Sequence, residues 1–192
     1  MNHLNLAIVD VETTGGFAQT DRIIEIGIIR VEKGKMVAKY NTLIDPEQYL
    51  SPFITSLTGI TDKHLEKAPT FITVHEKISE LLNNCVFVAH NAHFDYGFVK
   101  HEFKRLGLPA GRQGSPFPTE SLCTVQLSRH LYPEHRHHNL DSVIERCEIK
   151  CKNRHRALDD AKAVWDFIKH SQKKFSEEEI AHAVRGSMKA GK

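Results

Sequence analysis

Three short strings gather acidic residues at places where the surrounding pattern is apolar. The first is Asp10-Val11-Glu12, which closes the run from Leu4 to Val11. Side chains alternate faces along a strand, so these two carboxylates point the same way, about 7 Å apart along the backbone. Such a pair is costly unless positive charge sits between its members; two solvated acids at an exposed strand end are the plainer alternative. The second string, His90-Asn91-Ala92-His93-Phe94-Asp95, follows a short apolar run and opens a helical pattern, placing Asp95 in a first turn. An acid there can also simply favour the helix dipole. The third is Arg154-His155-Arg156-Ala157-Leu158-Asp159-Asp160-Ala161. Five residues along a helix separate side chains by about 140°. If His155 and Asp160 serve one site, His155 must lie in the loop before the helix and Asp160 within it, with Asp159 as its solvated neighbour. A histidine has a reference pKa near 6.5 and can move a proton close to neutral pH.

The elements that would hold these strings are legible from hydrophobic patterning. Leu4–Val11 and Arg22–Val31 are rich in β-formers, and Met36–Ile44 follows the turn at Lys33-Gly34-Lys35, which together predict an antiparallel meander. Thr70–Leu82 places Phe71, Val74, Ile78 and Leu81 at helical spacing behind Thr70 as N-cap. Val86–Ala89 is continuous and apolar, as expected of a strand covered on both faces. Tyr96, Val99, Phe103 and Leu106 mark the next helix, stopped at Gly107. Asn139 caps a helix through Leu140, Val143 and Ile144, and a last core helix from about Arg156 carries Leu158, Ala161, Trp165 and Ile168. Ser176 to Glu179 resembles a capping box. Leu108–Glu120 is rich in Pro and Gly and reads as a loop insertion. The order β-β-β-α-β-α-α-α describes an α/β domain with a mixed sheet.

Composition narrows the classes of function. The chain has 192 residues, 26 Lys+Arg against 24 Asp+Glu, 40% hydrophobic residues and no apolar run near membrane-spanning length, which excludes a membrane protein, a collagen and a mostly disordered chain. No secretory pattern opens the sequence, so a reducing cytoplasm is the expected compartment and the four cysteines are expected as thiols. A net charge of +2 does not suit a protein that coats duplex nucleic acid, but it leaves room for an enzyme that grips a few nucleotides. Thirteen histidines invite a zinc reading through His135, His137, His138, Cys147 and Cys151, yet these lack the paired spacing of zinc ligands. Glu25 reads as a structural acid on the second strand.

Taken jointly, DVETTG from Asp10, HNAHFD ending at Asp95 and HRALDD from His155 resemble the three motifs of the DEDDh-type 3′-5′ exonuclease family. The likeness is to the proofreading epsilon subunit of bacterial DNA polymerase III and its stand-alone relatives. RIIEIG from Arg22, LTGIT from Leu57 and HNLDSV from His138 also fit. The resemblance implies a ribonuclease H-like fold, with a mixed central sheet of antiparallel meander and parallel strands flanked by helices. It implies an exonuclease domain over 1–172, interrupted by the 108–120 loop, and a short C-terminal tail, 173–192, partly helical or disordered. It implies that Asp10, Glu12, Asp95 and Asp160 hold two divalent ions, Mg²⁺ or Mn²⁺, with His155 as general base. Hard oxygen ligands suit such ions, and two of them can relieve charge on a scissile phosphate. Thr13, Thr14 and Gly15 would sit beside the terminal nucleotide, Leu57 and Thr58 at its base or sugar, and His90 and Asn91 nearby. Arg154 and Arg156 would favour phosphate approach or lie in solvent. The implied partner is single-stranded nucleic acid, DNA over RNA. A DNA polymerase subunit is a further implied partner, although Gln172–Phe175 is a poor clamp-binding motif. Exoribonuclease activity and a catalytically silent binding module are the competing functions.

Overall fold

One alternation of side chains along the first strand organises the molecule. The computed structural model describes residues 1, 4–108 and 117–190. Strand β1 (Leu6–Thr13) runs antiparallel to β2 (Ile23–Glu32), which pairs antiparallel with β3 (Lys35–Leu43). On its other side β1 runs parallel to β4 (Val86–Ala89), β4 parallel to β5 (Glu120–Cys123), and β5 antiparallel to β6 (Met188–Ala190). The sheet order is therefore β3-β2-β1-β4-β5-β6. The expected mixed sheet is present, with the meander on one side and the parallel strands on the other.

Helices cover both faces. Ala7, Val9 and Val11 of β1 pack with Ile26 and Ile28 against α3 (Phe71–Leu82) and α4 (Ala92–Arg105). Leu6 and Ile8 pack with Ile29 and Val31 on the opposite face. That face is covered by α5 (Thr124–Leu131), α6 (Leu140–Arg146), α7 (Ala157–Lys174) and α8 (Glu177–Ser187). No helix among the described residues is long and apolar enough to cross a membrane.

The first turn of α7 docks on β2 through two residues of IIEIG. Glu25, fully buried, accepts hydrogen bonds from Arg156 Nη2 at 2.8 Å and from the Ala157 N–H at 3.2 Å. Gly27 lies under the same turn; a Cβ there would come within 2.4 Å of the Ala157 carbonyl carbon and the Leu158 nitrogen. Glu25 is thus the structural acid that its place on the strand suggests, and it anchors the helix that carries Asp160.

Several elements depart from the sequence expectation. Helices α1 (Pro52–Thr58) and α2 (Asp62–Leu65) close a small apolar cluster with Ile24, Leu50 and Ile60. They are too short to show helical periodicity. Strand β5 begins at Glu120, so the loop placed at 108–120 ends one residue earlier; its residues 109–116 lie outside the described residues. The described part of the C-terminal tail, 173–190, is ordered as helix and strand. Helix α7 continues to Lys174, α8 buries Ile180, Ala183 and Val184 in the main core, and β6 extends the sheet. The Ser176–Glu179 capping box forms as its sequence suggests, with Ser176 Oγ accepting from Glu179 N and Glu179 Oε2 accepting from Ser176 N.

Gly27→Ala is expected to lower folding stability by about 1–3 kcal/mol, because backbone atoms of α7 must move to admit the methyl group. Urea unfolding of the two proteins measures this, and an unchanged midpoint would contradict the close approach of α7.

Candidate active site at the end of the first strand

The face of β1 that sends Leu6 and Ile8 into the core also carries Asp10 and Glu12. Directly across on β2, Asp10 faces Gly27 and Glu12 faces Glu25. The regular β1–β4 pairing stops at Ile8–Val88, and beyond it the chain leaves β4 through His90 and Asn91 into α4. There Asp95 Oδ1 accepts a hydrogen bond from the Val11 N–H at 3.2 Å. A side chain in the first turn of α4 thus satisfies a backbone donor of the diverging strand, which brings Asp95 to β1 from the side opposite α7.

Asp160 arrives from α7, and His155 from the turn before it. His155 adopts φ 60°, a left-handed conformation that costs a non-glycine residue of order 1 kcal/mol. Its N–H donates to Asp160 Oδ2 at 3.2 Å, which holds the turn in place. This is the arrangement that the five-residue spacing demands: the histidine outside the helix, the aspartate inside it. Ligand atoms of Glu12, His155 and Asp160 all lie within 4.8 Å of one another. Among the described residues no other set of three or more His, Cys, Asp or Glu side chains meets that condition.

The site is acidic and withdrawn from water: Glu12 is 9% exposed, Asp95 3% and Asp160 4%. Burial, then the charge of Asp160 and Glu25, pushes the Glu12 carboxyl up to about 7. Burial likewise pushes Asp95 up to about 8, against the lowering effect of the Val11 N–H. Asp10 is raised well above its ordinary value by burial and by Asp95, Asp160 and Glu12. Burial also raises Asp160, which is opposed chiefly by its hydrogen bond from Arg154. Carboxylates gathered at such cost fit divalent cations, since hard oxygen donors and unbalanced negative charge are what those ions require.

Other predicted residues fall around this centre in different ways. Asp10 and Asp160 open into a cleft of about 630 Å³, whose walls include His90, Asn91, Arg129 and Arg136. His90 is held by its ring: Nε2 lies 2.9 Å from the His138 carbonyl and Nδ1 lies 3.1 Å from Thr124 Oγ1. A carbonyl only accepts, so Nε2 carries the proton. Burial lowers this imidazole to about 4 and keeps it neutral. The Thr13 hydroxyl donates to the Gly15 carbonyl at 2.6 Å, and Thr14 Oγ1 accepts from the Arg22 N–H at 3.0 Å. Gly15 is tight against Asp21, whose carboxylate a Cβ would meet at 2.4 Å. Leu57 is 42% exposed, whereas Thr58 is buried, its hydroxyl donating to Ile54 O and accepting from Ile60 N.

The two arginines beside His155 have separate structural partners. Arg156 pairs with Glu25, away from the cleft, and Arg154 pairs with both Asp160 and Asp141. Asp141 belongs to the HNLDSV string, but its pairing with Arg154 has no local signal, because only the fold brings the first turn of α6 there. Cys151 Sγ lies 3.7 Å from Asp160 Oδ1, again a contact without a local sequence signal. The residues of the zinc alternative have other partners. Cys147 packs in the core with its thiol toward Tyr132, and His138 bonds to Ser128 and the His135 carbonyl.

Comparison with known proteins gives the chain's family and its likeness in fold. The family model RNase_T, described as exonuclease, matches residues 7–167. The PolC-type DNA polymerase III of Clostridium perfringens is 38% identical over 178 residues, which make up 93% of this chain and 12% of that protein. The chain therefore spans a small part of such relatives. A solved structure of exonuclease X in complex with 5′ overhanging duplex DNA superposes with a TM-score of 0.69 at 25% identity, covering 93% of this chain and 99% of that one. The nuclease domain of 3′hExo, a DEDDh family member bound to rAMP, superposes with a TM-score of 0.75 at 19% identity, covering 90% and 93%.

The raised carboxyls have a signed consequence for stability. Glu12 and Asp95 hold protons up to about 7 and about 8 in the fold, against ordinary values of 4.5 and 3.8. Their contribution is complete below those ordinary values and is lost as pH rises through the folded ones. In EDTA the melting temperature should therefore fall between pH 5 and 8, and Asp95→Asn should flatten the profile. A wild-type melting temperature that is level across this range would contradict the burial of unneutralised acids.

Proposed function

Since the chain belongs to the exonuclease family, we propose that it is a metal-dependent 3′-5′ exonuclease that releases nucleoside 5′-monophosphates from single-stranded DNA. The observation that carries this reading is the convergence of Glu12, His155 and Asp160 within 4.8 Å beside a cleft that also holds Asp10, Arg129 and Arg136. A cleft lined by both acids and guanidinium groups suits a phosphodiester whose reacting phosphate meets the acidic centre while neighbouring phosphates meet the arginines.

Asp10, Glu12, Asp95 and Asp160 would hold two divalent ions, Mg²⁺ or Mn²⁺, which when bound neutralise charge on the scissile phosphate and acidify a water. The protein's own groups do the rest. His155, held in its turn by the bond to Asp160, accepts the proton of the attacking water. The Thr13–Gly15 turn, fixed by the Thr13 hydroxyl on the Gly15 carbonyl and by the Arg22 N–H on Thr14 Oγ1, presents backbone to the terminal nucleotide. Leu57 offers an exposed apolar surface to its base, and Asn91 borders the cleft. His90 and Thr58 support these contacts from behind, through their bonds to the His138 carbonyl and to α1.

The PolC-type relatives are DNA polymerases by name, which favours DNA over RNA as substrate. The same kinship suggests a DNA polymerase as partner class and the cytoplasm as place of action.

Labelled 20-mers of DNA and RNA test the reading. With Mn²⁺, DNA carrying a 5′ label should shorten progressively, while a 3′ label should appear at once as mononucleotide. Asp160→Asn should abolish cleavage. His155→Ala should cost about 10²–10⁴-fold in rate while Mn²⁺ binding persists. Faster loss of RNA would transfer the assignment to exoribonuclease, and no cleavage with either ion would leave a binding module.

A further inference from the structure

Arg154 bridges two acids of different standing. Its Nη1 donates to Asp160 Oδ2 at the centre of the site, and its Nε donates to Asp141 Oδ1 at 2.6 Å. The Asp141 side chain is 67% exposed at the outer edge, whereas that of Asp160 is 6% exposed. Arg154 also lines the cleft together with Arg129 and Arg136.

Asp160 Oδ2 already accepts two donors, Arg154 Nη1 and the His155 N–H. A carboxylate oxygen offers about two lone-pair sites, so coordination of a cation through Oδ2 requires one donor to leave. The His155 N–H belongs to a backbone turn and cannot swing away. Arg154 can, because its side chain is long and its Nε remains anchored on Asp141. Rotation about that anchor would carry the Nη groups away from Asp160 and into the cleft that Arg154 lines.

Building on the metal-dependent reading above, we propose that Arg154 is an electrostatic latch. It holds Asp160 until a divalent cation replaces it, then turns on its Asp141 anchor to meet a backbone phosphate in the cleft. Arg154 and the cation compete for the same carboxylate oxygen, so whatever draws Arg154 away favours the cation. By linkage, phosphate binding and metal binding each strengthen the other through this residue. Asp141 acts only as the pivot, so its influence on the metal passes entirely through Arg154.

Isothermal titration of the full chain with Mn²⁺ tests the latch without recourse to activity. Arg154→Gln should bind Mn²⁺ about five-fold more tightly than wild type, the lower end of ordinary coupling between sites. Asp141→Ala, which removes the acceptor of the Arg154 Nε–H, should bind it several-fold more weakly, because Arg154 is then left to Asp160 alone. In the Arg154→Gln background, Asp141→Ala should change nothing. Equal weakening in both backgrounds would show a through-space charge effect and overturn the latch, as would unchanged or weaker binding by Arg154→Gln. Asp160→Asn separates this from the underlying reading: if it binds Mn²⁺ as well as wild type, the metal site itself is wrong. Asp141 is exposed, so the variants at that position are expected to fold normally.

Discussion

The alternation of β1 is the constraint on which the rest depends. Leu6, Ile8, Asp10 and Glu12 share one face, so the register that buries the first two in the core delivers the other two to the cleft. A one-residue slip would place both acids among Ala7, Val9 and Val11, against α3 and α4. Apolar packing therefore sets the position of the charged groups, and it does so before any ion or nucleotide is involved.

The second acid of the meander serves a different end. Glu25 lies across from Glu12 but faces Arg156 and the start of α7, which makes it a structural counterpart to the reactive pair. With Gly27 it allows α7 to approach the sheet closely enough for Asp160 to join β1. The like-charged centre is thus assembled from three directions: β1 itself, α7 on one face and α4 at the diverging end of the strand. Each element pays for its place through contacts outside the centre, so the acids need not attract one another.

Local sequence carries some of this plainly. The long strands, α3, α4, α7 and the continuous run of β4 follow from periodicity, and Asn139 caps α6 as its type and place suggest. Shorter elements escape for want of period. Strand β5 has four residues and β6 three, and β6 exists because β5 supplies a partner for it. Thr70 sits at the N-cap of α3, yet its hydroxyl meets Thr73 Oγ1 instead of a backbone N–H.

The acids, the histidine, and the demand that His155 lie outside the helix that carries Asp160 are written in the chain, because these follow from residue type and the fixed periods of strand and helix. Which flanking arginine meets the site depends on packing between distant elements. Arg154 and Arg156 are chemically identical and two residues apart, but one ends on Asp160 and Asp141 and the other on Glu25. The difference rests on where α6 and β2 stand around the start of α7. Long-range packing sets those positions, and no local spacing encodes them.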